Sequence, residues 1–266
     1  MNIAIVGLGS IGTTLVRKFA QGGIPGANLC AVVVRNREKA WAVLKDIGVD
    51  VPLLELSQLA EVADLVVECA PAEMLPEIAR PVLGAGKKIM VLSCGALLDH
   101  PELIDLAEQT GGQIIIPTGA LIGLDAVSAA AEGKIDSVRM ITRKPIEGLL
   151  GAPYLNENGI DIEGISEPMR VFQGTARQAA KGFPANLNVA VALSLAGIGP
   201  DKTVLEIWAD PTATRNTHKI VVESDAASFE MSIENIPSEN PKTGRITALS
   251  VIAAIRKLTA PLRVGT

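Results

Sequence analysis

Gly7-Leu8-Gly9-Ser10-Ile11-Gly12 follows directly on the apolar run Asn2 to Val6 and opens a segment where Ile11, Leu15 and Phe19 recur at helical spacing. A glycine-rich turn in that position is the first turn of a βαβ unit. Gly7 permits the tight turn, Gly9 lets backbone approach a pyrophosphate with no Cβ in the way, and Gly12 allows the helix to pack closely on the strand. The helix start at Ser10 and Ile11 offers unsatisfied N–H groups to phosphates. The spacing therefore predicts a dinucleotide site built from Gly7, Gly9, Ser10, Ile11 and Gly12 in a Rossmann-type domain.

The pattern outward from this turn agrees. Continuous apolar runs at Asn2 to Val6, Leu29 to Val34, Val51 to Leu54, Leu65 to Cys69, Lys88 to Ser93 and Gln113 to Ile116 read as strands buried on both faces of a parallel sheet. Helical segments fall between them at Glu38 to Ile47 and Pro101 to Gln109, and Gly22-Gly23 closes the first helix. After Pro117 the pattern changes. A small-residue helix from about Ala120 to Ala131 precedes a strand at Val138 to Arg143. Strands are then expected at Asn216 to Glu223 and around Phe229, Met231 and Ile233, which alternate with polar residues, with helices at Gly174 to Lys181 and Asn186 to Ala196. The expected fold is α/β. A Rossmann domain at 1–118 precedes an α+β domain at 119–240, a mixed sheet covered by helices, and a C-terminal helix at 241–266, Ile246 to Leu258 within it, packs back on the first domain.

The 266 residues are 48% hydrophobic and 20% charged, which excludes a disordered chain. Mean hydropathy is +0.34, yet runs such as Val189 to Ile198 are too short to span a membrane. A net charge of −5 with only 3% aromatics argues against a nucleic-acid surface. Cys30, Cys69 and Cys94 show no metal-binding spacing and are odd in number. Reduced thiols, a cytoplasmic location and no metal are expected. The first strand begins too early to leave room for a signal peptide.

Where a typical NAD site places an acid on the ribose, this chain has Arg35-Asn36-Arg37. A guanidinium at Arg35 can pair with a 2′-phosphate, so NADP is expected to be accepted alongside NAD; two solvated arginines would read the same. Val66 to Pro71 ends a strand at the edge that faces the nicotinamide half, which makes Ala70 a candidate contact. Glu68 reads as a polar residue at a strand end.

With two histidines in the chain, His100 and His218, the proton chemistry of a dehydrogenase falls to His218, which leads into a strand from the polar segment Asp210 to Thr217. Residue type alone leaves a structural histidine open. Arg215 and Lys144 are candidate cations for substrate carboxylates, with Arg143 near them. Alternation turns Lys219 to the face opposite His218.

Four stretches together carry a resemblance over essentially the full length: the glycine turn, Pro117-Thr118-Gly119-Ala120-Leu121-Ile122-Gly123-Leu124-Asp125, Phe183-Pro184-Ala185-Asn186-Leu187-Asn188-Val189-Ala190, and Asp210-Pro211 through Asn216-Thr217-His218. In these the chain resembles the L-aspartate dehydrogenase family. The resemblance implies that His218 is catalytic and that Ala120 and Asn188 contact the cofactor. It also implies oxidation of L-aspartate with NAD or NADP to iminoaspartate, then oxaloacetate and ammonia, a homodimer, and a place in pyridine nucleotide biosynthesis. Related two-domain enzymes, dihydrodipicolinate reductase and homoserine dehydrogenase, are the nearest alternatives. The first carries a His-His pair that is missing here. A non-catalytic NAD(P) sensor is the alternative from another class.

Overall fold

The computed structural model describes residues 1–183, 188–238 and 244–266. They divide into two compact units, Met1–Gly119 with Thr247–Val264, and Ala120–Ile246 with Gly265–Thr266.

The first unit runs β1 (Asn2–Val6), α1 (Ser10–Ala20), β2 (Asn28–Val33), α2 (Arg37–Ile47), α3 (Leu59–Val62), β3 (Leu65–Glu68), α4 (Leu75–Gly84), β4 (Lys88–Val91), α5 (Glu102–Thr110) and β5 (Gln113–Ile115). The strands form a parallel sheet in the order β2-β1-β3-β4-β5. Parallel strands are covered on both faces, which is why their sequences are apolar runs rather than alternations. Ile3, Ile5, Val67 and Met90 meet Leu15, Val16 and Leu44 from the helices in one core. Each such fully buried aliphatic side chain contributes about 1.5–3 kcal/mol. The Asn36 side chain accepts the Lys39 N–H at 2.9 Å and so caps α2.

The stretch Val51 to Leu54 corrects the sequence reading. It is no strand but an isolated bridge, Val32 to Leu53, held by Val32 N–H to Pro52 O and Leu54 N–H to Val32 O, each 3.0 Å. Pro52 has no N–H with which to extend a ladder.

The second unit contains α6 (Leu124–Ala131), β6 (Ile135–Lys144), α7 (Pro153–Glu157), β7 (Met169–Thr175), α8 (Ala176–Gly182), α9 (Asn188–Ala196), β8 (Val204–Ala209), β9 (Asn216–Ser224) and β10 (Ser228–Asn235). Its mixed sheet runs β10-β9-β6-β8-β7, with β6 parallel to β8 and antiparallel to β9. Residues 184–187, within the expected helix start and one of the family-like stretches, lie outside the described residues, as does the expected boundary at 240/241.

Alternation gives the second sheet two unlike faces. Val138, Met140, Thr142 and Lys144 of β6 are buried, whereas Arg139 and Arg143 are exposed. The exposed face is laced with charge: Lys219 meets Glu230 at 2.7 Å, and Arg143 and Arg170 lie over the Trp208 ring at 5.3 and 5.8 Å. α10 (Arg245–Thr259) places Val251, Ile252 and Ile255 in the core of the first unit.

Candidate functional site

The glycine turn of the first unit has the geometry its sequence demands. Gly7 adopts φ +98°, and its N–H donates to Val33 O at 2.8 Å. A Cβ on Gly7 would stand 2.5 Å from Cys69 O, and one on Gly12 would collide with Gly7 O. Gly9 differs: a Cβ there would have no heavy atom within 4 Å. The open space lies beside the start of α1, where Ser10 and Ile11 supply the helix N-terminus. That is the cradle a diphosphate needs, close to backbone donors and clear of side chains, so these residues fit a dinucleotide.

At the end of β2, Arg35 is exposed. Arg37 is committed elsewhere, with Nη1 2.7 Å from a Glu55 carboxylate oxygen and Nη2 donating to Leu53 O at 2.6 Å. Asn36 is the cap of α2, so of the three polar residues Arg35 alone has no described partner that competes for a phosphate.

At the end of β3, Glu68 is fully buried. Its Oε1 accepts the Ala70 N–H at 3.0 Å and the Ser93 hydroxyl at 3.1 Å; Oε2 accepts the N–H groups of Leu92 at 3.0 Å and Ser93 at 2.8 Å. Burial raises the carboxyl pKa against the opposing effect of these donors, those of Ser93 foremost. Ala70, the expected cofactor contact, is thus tied by its own N–H to a buried carboxylate. Burial, helped by the Glu68 charge, pushes the Cys69 thiol well above its ordinary value, which suits a packing role and not a nucleophile.

In the second unit the β6–β9 register sets Thr142 opposite His218. The His218 Nδ1 lies 3.1 Å from the Thr142 hydroxyl, and Lys144, two residues along β6, shares the same sheet face. His218 and Lys144 are 3% and 4% exposed. Burial, reinforced by the Lys144 charge, pushes His218 down to about 3, and burial pushes Lys144 down to about 8. The imidazole is therefore neutral at any ordinary pH. In the tautomer whose Nδ1–H donates to the Thr142 hydroxyl, Nε2 is the proton-accepting nitrogen.

The remaining expected residues are placed as follows. Arg215 is exposed, with its guanidinium 3.8 Å from Glu234, whose register partner Thr217 faces away from His218. Lys144, and not Arg215, shares the histidine's face. Arg143 lies on the opposite face and meets Asp210 at 3.5 Å. Asp210 in turn accepts the Thr212 hydroxyl at 2.7 Å and N–H at 2.9 Å, a closed turn whose donors hold its carboxyl below the usual range. Ala120 accepts the Asn235 side-chain amide at 3.0 Å, and Asn188 is the first residue of α9. His100 sits at the start of α5 with Nδ1 3.2 Å from Glu102. No cluster of metal-ligating side chains occurs among the described residues. Thr142 was not singled out by sequence, because only strand pairing reveals it.

Residues 7–117 match the family model described as homoserine dehydrogenase, NAD binding domain, and residues 125–258 that described as aspartate dehydrogenase, C-terminal. An L-aspartate dehydrogenase of Bradyrhizobium diazoefficiens is 59% identical over 266 residues, covering 100% of this chain and 94% of its own. L-aspartate dehydrogenase 3 of Bordetella bronchiseptica is 58% identical over 266 residues, covering 100% and 98%. The crystal structure of aspartate dehydrogenase from Thermotoga maritima superposes with a TM-score of 0.76 at 26% identity, covering 100% of this chain and 99% of that one. A scyllo-inositol dehydrogenase from Lactobacillus casei, 14% identical with a TM-score of 0.54, shares the fold. The two models together span nearly the whole chain, and on the full-length identity to these relatives this chain belongs to the L-aspartate dehydrogenase family.

Proposed function

We propose that this chain oxidises L-aspartate to iminoaspartate with NAD or NADP, that water then gives oxaloacetate and ammonia, and that the reaction runs in both directions. The observation that carries the reading is the buried, neutral His218, fixed by Thr142 and sharing its face with Lys144. When bound at the glycine turn, the nicotinamide cofactor supplies the two-electron acceptor for the hydride on Cα.

His218 is the base. Its second ring nitrogen takes the proton that the substrate amine must lose before hydride leaves, and later the proton of the water that attacks the imine. Lys144 binds a substrate carboxylate. Burial and, second to it, the Lys144 ammonium depress His218 in the substrate-free protein, so an anion placed against Lys144 removes the lesser of the two causes and raises the basicity of the imidazole. Arg215, exposed beside Glu234, is the lesser candidate for carboxylate binding. Gly7, Gly9, Ser10, Ile11 and Gly12 hold the diphosphate, Ala70, Ala120 and Asn188 contact the cofactor, and Arg35 accepts the 2′-phosphate that allows NADP.

The remaining proposals concern the setting. The chain acts in the cytoplasm on small molecules, without nucleic acid, as its acidic charge of −5 supports. No helix among the described residues is long and apolar enough to cross a membrane. It functions as a homodimer; support comes from the exposed face of the second sheet, where half-exposed Ile141, Val221 and Trp208 lie among its charges.

The test is a panel of amino acids with each cofactor, together with oxaloacetate plus ammonia and NADH or NADPH. L-aspartate should be the amino acid turned over. Cofactor binding without turnover of either mixture would refute the enzyme reading and favour a sensor.

A further inference from the structure

We propose that Glu68 is a positioning residue for the nicotinamide half of the cofactor, clamping the ends of β3 and β4 into one ledge through Ala70, Leu92 and Ser93. The proposal rests on the reading of the glycine turn given above. A dinucleotide lies across the carboxyl ends of the strands, with its diphosphate at the first turn. Arg35 marks the β2 side of that turn as the adenosine side. The other half must then cross the ends of β3 and β4.

That edge is organised around one carboxylate. Three backbone N–H groups and one hydroxyl converge on Glu68 at 2.8–3.1 Å, from two different strand ends. Strand ends in a parallel sheet leave such N–H groups without ladder partners, and buried donors must find acceptors. A four-acceptor carboxylate satisfies all of them at once. The clamp also reaches the glycine turn, because Cys69 O, in the residue between Glu68 and Ala70, packs against Gly7. A carboxylate with no access to solvent cannot touch the substrate or serve as the base, so its effect must pass through the backbone it holds.

Glu68→Gln keeps the shape and removes the symmetry of acceptors. With its NH2 group at Oε2 the amide faces two N–H donors; at Oε1 it faces only one, that of Ala70. The variant therefore releases Ala70. The experiment measures the dissociation constants of NADH, by fluorescence, and of ADP-ribose, which lacks nicotinamide, by calorimetry, together with thermal unfolding. Glu68→Gln should weaken NADH about tenfold, as loss of a charged hydrogen bond implies, and leave ADP-ribose within about twofold. Ser93→Ala, which removes a single donor, should weaken NADH about threefold with the same selectivity, and it decides the question if Glu68→Gln does not fold. Unchanged NADH binding, or equal loss of both ligands, overturns the proposal and makes Glu68 purely structural. A wild-type protein that binds neither ligand overturns instead the cofactor reading on which the proposal stands.

Discussion

Gly9→Ala separates a glycine needed by the ligand from glycines needed by the fold. Gly9 has φ −74° and ψ −163°, extended values any residue adopts, and an added Cβ meets nothing within 4 Å. Alanine loses some capping preference at the start of α1 and gains from a less flexible unfolded chain, two effects each below about 1 kcal/mol and opposite in sign. The melting temperature should stay within about 4 °C of wild type. In the cofactor complex the methyl group enters the space beside the first turn of α1, displacing the diphosphate from its N–H donors. Loss of one such charge-assisted bond is worth about 1.5–3 kcal/mol, or roughly 10- to 100-fold in affinity. Gly7→Ala is the control, since φ +98° and a Cβ 2.5 Å from Cys69 O should cost about 2–5 kcal/mol in folding itself. Thermal unfolding and NADH fluorescence titration on the same preparations provide the assay. A Gly9→Ala protein that binds NADH within twofold of wild type would refute placement of the diphosphate on this turn.

His218→Ala should lower kcat by about 10²- to 10⁴-fold while NADH affinity stays near wild type; retained turnover in steady-state assays would remove the histidine from the mechanism. In the substrate-free protein the depressed His218, about 3 folded against 6.5 for the ordinary group, makes the unfolded chain the better proton binder between those values. Stability is thus lost as pH falls from about 6.5 toward 3, by up to about 1.4 kcal/mol per unit, and denaturant titrations of His218→Ala should lack that slope. Lys144, about 8 folded against 10.5, makes stability rise as pH climbs through that interval, and Lys144→Met should flatten it. Arg35→Asp should shift the ratio of kcat/KM for NADP over NAD downward by at least about tenfold; an unchanged ratio would show that Arg35 is only a solvated side chain.

What the sequence reveals follows the range of the interactions concerned. The glycine turn is legible because each of its requirements is met within six residues, and β1 to β5 are legible because each carries an unbroken apolar run, buried in β1, β3 and β4. Elements whose pattern is interrupted escape notice. Pro81 sits inside α4, and a register shift between Arg170 and Phe172 breaks the alternation of β7, so neither reads as regular structure. Val51 to Leu54 misleads in the other direction, since composition says strand while Pro52 denies the hydrogen bonds. The site divides the same way. His218 is visible as a residue type, but Thr142 lies 76 residues away and meets it only through the β6–β9 register, a long-range pairing that no single sequence displays. Once that register is known, alternation alone places Lys144 beside the imidazole and sends Arg143 and Lys219 to the other face. Glu68 shows the limit most sharply. In sequence it reads as a polar residue at a strand end, and only the convergence of Ala70 and Ser93 on it, from segments 23 residues apart, shows it to be a fully buried acceptor. A buried charge of this kind is tolerated only where donors are fixed in advance, which is the physical reason to look for its purpose at the edge of the sheet that the cofactor crosses.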